Sequence, residues 1–227
     1  MSTLRLLAVA VIALSVGSFA RAQPAPAAPA TVAFPAAKID GSVSVEKALK
    51  LRRSVRTLSA NPITLEQLGQ LCWATQGVTD EKGHRAAPSA LATYPLELRV
   101  MVGNVTGVAP GIYKYRPDKH DLSLLVPGDK RAEFVEKAIG QGWISKAPAI
   151  LILTGVLERI APKAKERAAQ FMATEAGLAA QGFFLEETAL GLGSTFVGGF
   201  KPDVSRTFLA LPQGEETLAV LPVGHKQ

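Results

Sequence analysis

The stretch that decides the fold is FMATEAGLAAQGFFLEETALGL, Phe171 to Leu192, in which small and apolar residues occupy most positions around a helical circumference. No proline follows Pro162 before Gly191, so nothing in this stretch blocks a continuous helix. A surface helix carries one apolar stripe, whereas a helix that is apolar on nearly all sides is buried on nearly all sides. The sequence therefore predicts a long helix that forms the centre of the core, a subunit interface, or both.

Strand patterns lie before and after this helix in the sequence. They alternate apolar and polar residues, or form a short apolar run bounded by glycine or proline, as strands do. The segments are LELRVMV (96–102), GIYKYRP (111–117), APAILILTGV (147–156), STFVGGF (194–200) and ETLAVLPVG (216–224). Because strands and helices do not alternate as in a parallel sheet, the order predicts an α+β fold.

Shorter helices complete the pattern. Ser44 is a candidate N-cap for SVEKALKLRRSV, and Thr64 with Gln67 forms a capping box for a helix that ends at Gly77. The segment DVSRTFLAL predicts a short helix that is capped by Asp203.

The first residues have the layout of a cleavable signal peptide. Residues 1–22 place Arg5 before the apolar run Leu6–Val16 and end in small residues around Arg21, which predicts cleavage before Gln23 and a periplasmic or secreted protein. We expect a Pro/Ala-rich linker over residues 23–42 and one ordered domain over residues 43–227, with order beginning near Val43. Cleavage removes two arginines and no acid from a formal net charge of +6. The remaining basic residues are scattered, so we expect no nucleic-acid partner and no stable membrane anchor in the mature chain.

The residues by themselves identify no catalytic side chain and no metal site. Cys72 is the only cysteine and cannot form an intramolecular disulfide. The histidines, His84, His120 and His225, lack metal-ligand spacing, and no serine lies in a G-x-S-x-G motif. Hydrolase and metalloenzyme classes are therefore disfavoured.

The segment LRRSVRTL, Leu51 to Leu58, is a candidate anion site. Arg52, Ser54 and Arg56 recur at two-residue steps where the helical pattern ends, so two guanidinium groups and a hydroxyl can converge on one small anion. A phosphate monoester suits them because guanidinium donors match two phosphate oxygens. The alternative is that these cations favour the negative end of the helix macrodipole and face solvent.

Three further segments are candidates for a ligand site, and two of them can approach a planar ligand. RAAPSALATYPLE (85–97) is a loop of small residues, and Gly198–Gly199 allows close backbone approach. The alternatives are an ordinary loop and a tight turn. At the end of the chain Lys226 supplies another cation, unless this tail is frayed and solvated.

The order and spacing of these segments resembles the nitroreductase-like family of FMN-dependent oxidoreductases from roughly Val43 to the end. The matching segments are RRSVR, the Thr64-capped helix that ends in WATQG, APSALATYPLE, GIYKY, EAGLAAQGFFLEETALGLGSTFVGGF and LPVG. Within the family the chain is most similar to the peptide-azole (streptolysin-type) dehydrogenase branch, in which an R-x-x-P-S-x-x-x-x-Y-P loop is typical. The resemblance implies a mostly antiparallel central sheet flanked by helices, and an obligate homodimer with FMN and the long helix at its interface.

The resemblance also implies which positions bind FMN. In the arginine segment it assigns Arg52 and Ser54 to the phosphate and ribityl end and Arg56 to the flavin N1/O2 edge. It also implies that Pro88, Ser89 and Ala90 pack along the isoalloxazine ring and that Gly198 and Gly199 reach the flavin N5 side. It implies that Lys226 is a cation that binds the phosphate. The implied set is Arg52, Arg53, Ser54, Arg56, Pro88, Ser89, Ala90, Gly198, Gly199 and Lys226.

The expected function is two-electron transfer through flavin N5 to or from a small organic substrate. Azoline-oxidising relatives carry a Lys-Tyr pair ahead of the long helix, whereas this chain has Ala164 at the expected tyrosine, which disfavours that activity. NAD(P)H is an uncertain donor because an exported enzyme does not meet the cytoplasmic pool. The alternatives are a non-catalytic carrier of flavin or a small aromatic ligand, an azoline-type dehydrogenase, and an enzyme that consumes its own flavin.

Overall fold

A computed structural model describes residues 30–227, so the predicted signal peptide lies outside the described residues. In this range the strands form one sheet in the order β1-β4-β3-β2-β5-β7-β6, and all paired neighbours are antiparallel. The strands are β1 (Thr31–Ala33), β2 (Leu96–Val102), β3 (Gly111–Arg116), β4 (Asp121–Pro127), β5 (Ala149–Val156), β6 (Leu192–Ser194) and β7 (Glu215–His225). The fold is α+β, as predicted.

The α-helices lie on both faces of this sheet. They are α1 (Val45–Leu51), α2 (Leu65–Gln76), α3 (Arg131–Phe134), α4 (Leu157–Ala164), α5 (Ala168–Ala189) and α6 (Pro202–Phe208). Short 3-10 turns cover Ala90–Ala92, Gly142–Lys146 and Lys165–Arg167, and one π-helical turn covers Val135–Ile139.

Helix α5 confirms the prediction of a long central helix. Its buried face, which includes Met172 and Phe183, joins α2 and one face of the sheet in the larger apolar core. Its opposite face is exposed and includes Gly177 and Leu178. The helix is therefore a core helix with one face left free in the single chain.

A second apolar core covers the other face of the sheet. Phe134, Ile144 and Leu209 pack there against Ile150 and Ile152 of β5. Because both faces of β5 are covered, its residues read as a continuous apolar run rather than as an alternating pattern.

The predicted caps of the first two helices are present. The Ser44 hydroxyl accepts a hydrogen bond from the Lys47 N–H at 3.2 Å. At the start of α2 the Gln67 N–H donates to Thr64 Oγ1 at 3.1 Å, and the Thr64 N–H donates to Gln67 Oε1 at 2.9 Å. These bonds satisfy N–H groups that have no partner inside the helix.

The sheet begins earlier than the sequence indicated. Residues 31–33 lie in the segment predicted as a linker, yet they pair with β4, which the sequence analysis did not identify. Phe34 continues this edge: its N–H donates to the His120 carbonyl at 3.1 Å, and its ring centroid lies 6.2 Å from that of Tyr115. Order therefore begins before Val43, because non-local pairing fixes a segment that carries no strand pattern of its own.

Two boundaries also differ near the end of the chain. Helix α6 begins at Pro202 with Lys201 as the N-cap residue, so Asp203 lies in the first turn and is not the cap. There its carboxylate still favours the positive end of the helix. The strand predicted over residues 194–200 ends at Ser194, and Val197 makes only an isolated bridge to Val220.

Candidate functional site

The arginine segment leaves α1 and runs beside β6. Arg52 is the C-cap residue of α1, and its guanidinium carbon lies 5.9 Å from the ring centroid of Phe184 on α5. Ser54 then forms a parallel bridge with Ser194, and the Val55 N–H donates to the Ser194 carbonyl at 2.7 Å. These bonds hold Arg52 and Ser54 where α5 ends and β6 begins.

The C-terminal tail is tied to the same place. The Gln227 N–H donates to the Thr57 carbonyl at 3.2 Å, and Lys226 forms an antiparallel bridge with Leu58. Gly193 of β6 approaches Lys226 so closely that a Cβ at this glycine would lie 2.9 Å from the lysine Cγ. The tail is thus not frayed, and it places Lys226 beside the arginine segment.

Arg53 and Arg56, the other two arginines of residues 51–58, differ from Arg52 in their contacts. Arg53 Nη1 donates to the carbonyls of Lys50 and Arg52, at 3.0 and 2.7 Å, at the C-terminal end of α1. For Arg53 the structure therefore favours the alternative of a helix-end cation over the predicted role in cofactor binding. Arg56 is exposed and forms no ion pair with any residue in the range 30–227.

Two polar groups in this region were missed by the sequence analysis. Glu187 and Ser194 are 1% and 0% exposed, and Glu187 Oε2 and Ser194 Oγ have no hydrogen-bond partner among the described residues. Burial raises the pKa of Glu187 to about 8, although Lys226 and Arg52 oppose this shift. Buried polar atoms without partners are rare and call for a binding partner or a water. We name Arg52, Ser54, Glu187, Ser194 and Lys226 the polar cluster.

The predicted loop is anchored to α5 through a second buried carboxylate. The Ala90 N–H donates to Glu175 Oε1 at 2.7 Å, and the Tyr94 N–H donates to Ser89 Oγ at 2.8 Å. Burial raises the pKa of Glu175, against the effect of the Ala90 N–H that donates to it. Because its N–H donates to Glu175 and its carbonyl accepts from the N–H and hydroxyl of Thr93, Ala90 presents its methyl group to a ligand. Pro88, which has no N–H, is exposed at the start of the loop.

This loop stores backbone strain. Leu91, Ala92 and Tyr94 have φ angles of 57°, 50° and 46°, in the left-handed region that favours glycine. Helix α4 holds the loop in place: Lys163 Nζ donates to the Leu91 carbonyl at 3.0 Å, and Arg159 Nη1 donates to the Tyr94 carbonyl at 3.2 Å. Such strained positions cluster at ligand-binding sites, where the surrounding contacts maintain them.

The glycine pair is open. Gly198 and Gly199 are exposed and do not have positive φ angles. A Cβ at Gly199 would meet no atom within 4 Å, and one at Gly198 would make ordinary contact with Phe196. Neither the backbone conformation nor the packing of a single chain requires glycine at these two positions.

The larger cavities lie elsewhere. One of about 450 Å³ is polar and is lined by Arg85, Glu97, Lys114 and Arg159, among others. Another of about 520 Å³ lies between residues 38–45 and the facing parts of α2 and α5. Neither includes a residue of the predicted FMN set.

Membrane-spanning helices and metal-ligand clusters were both sought in the described residues. From residue 30 to the end, none of the helices has the length and hydropathy that a membrane span requires. Across that part of the chain, histidine, cysteine and acidic side chains form no group of three that could hold a metal ion.

Comparison with known proteins places this geometry in context. The model of the Nitroreductase family matches residues 49–225. A protein of Methanocaldococcus jannaschii, named a "putative nitroreductase", is 38% identical over 184 residues, which cover 81% of this chain and 92% of that protein.

Solved structures agree with these sequence matches. A crystal structure of a Ralstonia eutropha protein with the same description has a TM-score of 0.77 at 26% identity, and the match covers 88% of this chain and 90% of that one. A chain of the Escherichia coli microcin synthetase complex, solved with a truncated precursor bound, has a TM-score of 0.68 at 19% identity. That match covers 75% of this chain and 67% of the other, and it shows a shared fold.

Proposed function

The chain belongs to the nitroreductase family of oxidoreductases, and from this premise we propose that it binds FMN and transfers two electrons to or from a small organic substrate. The polar cluster is the observation that carries the proposal. Two cations, a hydroxyl and two buried polar atoms without partners meet where one edge of the sheet joins the long helix.

The polar cluster fits a phosphate monoester. Arg52 and Lys226 supply positive charge, and Ser54 adds a neutral donor beside Ser194. Ser194 Oγ is buried without a partner, so a ligand oxygen within its reach would satisfy it. Four of these five residues stand on backbone segments fixed by pairing or by helix α5, and Arg52 caps α1, so little ordering is needed when the phosphate arrives.

The loop and the glycine pair fit the flat ring of the cofactor. Pro88 and Ser89 present small groups that are held in place from α5 and α4, and Gly198 and Gly199 leave the backbone open to close approach. When bound, FMN supplies two-electron chemistry through its N5 atom, while the protein orients it and tunes its electrostatics. Arg56, which lacks an ion pair, is the cation proposed to face the N1/O2 edge.

We further propose a homodimer. Leu49 of α1, Leu178 of α5 and Phe196 after β6 are 53%, 46% and 44% exposed in the single chain. These apolar groups lie on the elements that carry the polar cluster and the glycine pair. A second copy that covered them would also enclose the open cofactor site.

We also propose that the protein is exported and that its electron donor is not cytoplasmic NAD(P)H. The signal-peptide pattern of residues 1–22 supports a periplasmic or secreted protein, and an exported enzyme needs a donor other than cytoplasmic NAD(P)H. The mass of the mature protein, purified after expression with its own leader, tests the first point. A chain that begins at Gln23 is expected.

The visible absorption spectrum of the purified protein tests FMN binding, before and after the addition of FMN and desalting. We expect retained flavin in the wild type and a roughly 10- to 150-fold weaker FMN affinity in Arg52→Ala, because one charge-assisted hydrogen bond contributes about 1.5–3 kcal/mol. Arg53→Ala is the matched control, since the Arg53 guanidinium binds carbonyls of α1. Equal losses in both variants, or no retained flavin in any of them, would contradict the proposal.

Turnover separates an enzyme from a carrier. The loaded protein is mixed anaerobically with NADH, NADPH or a reduced quinone, and the flavin absorbance is followed. Rapid bleaching with one donor, followed by recovery with a nitroaromatic or quinone acceptor, is expected of an oxidoreductase. Binding without bleaching by any donor would indicate a carrier.

A further inference from the structure

Glu187 is an unusual neighbour for a phosphate site. Its carboxyl group is buried on α5, close to Arg52 from the end of α1 and to Lys226 from the tail after β7. Neither cation comes within ion-pair distance of it in the described chain. Two positive groups therefore stand near a buried carboxyl group without pairing with it.

The hydrogen bonds of this carboxyl group are nearly absent as well. The Thr188 hydroxyl donates to Glu187 Oε1 at 3.4 Å, which is long, and Oε2 has no partner among residues 30–227. An ionised carboxylate in such a place would lack the donors that normally stabilise it. A protonated carboxyl group needs only one acceptor for its O–H.

A bound phosphate would supply that acceptor. A phosphate monoester carries a charge of about −2 above neutral pH, since its second pKa is about 6. An ionised Glu187 would repel this dianion in a poorly solvated place, whereas a protonated Glu187 can donate a hydrogen bond to one of its oxygens.

We propose that Glu187 belongs to the phosphate site and carries a proton when the phosphate is bound, so that FMN binding takes up one proton in alkaline solution. This inference rests on the proposed FMN function. Burial already raises the pKa of Glu187 to about 8 without the ligand. The proton comes from solvent, and no bond other than O–H forms.

The dissociation constant for FMN between pH 7 and pH 9 tests the inference, measured by quenching of flavin fluorescence. In this window the FMN phosphate is a dianion throughout. We expect little change from pH 7 to pH 7.5, a rise of about fivefold between pH 8 and pH 9, and a rise of about tenfold over the whole window. Calorimetry at pH 8.5 in two buffers of different ionisation enthalpy should show about 0.7 proton taken up per FMN.

Glu187→Gln and Glu186→Gln form a matched pair of variants. Glu187→Gln removes the ionisable group and should make the FMN affinity independent of pH between pH 7 and pH 9. Glu186 lines the cavity between residues 38–45 and helices α2 and α5 rather than the polar cluster, so its variant should retain the wild-type pH dependence. Riboflavin has the same ring without the phosphate, and its binding should take up no proton.

The outcomes are distinguishable. FMN binding without proton uptake, or with the same uptake in Glu187→Gln, overturns the role of Glu187 and leaves the proposed function standing. No FMN binding in the wild type at any pH overturns both. If Glu187→Gln does not fold, the comparison of FMN with riboflavin in the wild type still decides the matter.

Discussion

A buried ion pair crosses three strands of the sheet, and its removal should destabilise the fold strongly. Arg99 of β2 contacts Glu215 of β7 through hydrogen bonds of 3.2 and 2.7 Å, and both side chains are almost fully buried, at 3% and 4% exposure. The hydroxyl of Thr154 on β5, which lies between these strands, also donates to Glu215. The substitution Glu215→Gln removes the negative charge and leaves the guanidinium of Arg99 uncompensated.

The expected loss follows from the burial of the pair. Breaking a buried ion pair by removing one partner costs about 3–5 kcal/mol, because the remaining charge stays out of water. For a domain of this size each kcal/mol lowers Tm by about 2–4 °C, so Glu215→Gln should melt roughly 6–20 °C below the wild type. Urea denaturation followed by circular dichroism measures the free energy of unfolding directly.

Two controls make this prediction specific. Glu133→Gln breaks an exposed pair with Lys137 on the surface and should leave Tm close to that of the wild type. A triple variant, Arg99→Met with Thr154→Val and Glu215→Leu, replaces the buried polar groups by apolar ones and should recover most of the loss. A free energy of unfolding for Glu215→Gln within about 1 kcal/mol of the wild type would refute the reasoning.

Three further predictions concern the site. Because the pKa of Glu187 is raised to about 8, the folded chain binds more protons than the unfolded chain above pH 5. The free energy of unfolding should therefore fall by up to about 1.4 kcal/mol per pH unit as the pH rises towards and through 8. Urea denaturation of Glu187→Gln at several pH values should lack this dependence. Gly193→Ala would place a methyl group 2.9 Å from atoms of Lys226 and Val55, so it should lower the free energy of unfolding by about 1–3 kcal/mol. Gly199→Ala meets no atom and should leave the melting temperature unchanged or slightly higher, while its FMN affinity, measured by fluorescence titration, should fall at least tenfold if the cofactor passes over this backbone.

The sequence predicted those parts of the fold whose pattern is local. The long helix, the capping box at Thr64 and the strand over residues 149–156 each carry their signal within a few turns or residues, and all of them are present. Strand β1 could not be predicted in this way, because residues 31–33 adopt their conformation by pairing with β4 about ninety residues later. The cap of α6 was wrong by two residues because Pro202 fits the first helical turn equally well.

The site was predictable only at the level of segments. Arg52 and Arg53 are adjacent and chemically identical, and only the end of α1 decides that Arg53 binds carbonyls while Arg52 lies over Phe184. Glu187 was not singled out because its neighbour Glu186 has the same charge, and spacing alone does not tell which of the two is buried. Burial of a single carboxyl group depends on the packing of three elements, which no local pattern encodes.

The distribution of unsatisfied features supports the proposal that a second copy completes the site. Five buried side-chain polar atoms of the described residues lack a partner, and two of them, Glu187 Oε2 and Ser194 Oγ, lie in the polar cluster, whereas the glycine pair and the apolar side chains of Leu178 and Phe196 are exposed. A ligand alone would satisfy the buried atoms but would leave the apolar groups in water. A second copy alone would cover the apolar groups but would not bring an acceptor to a buried carboxyl group. A cofactor that binds where two copies meet would satisfy both sets together, which links the proposed dimer to the proposed flavin and predicts that each stabilises the other.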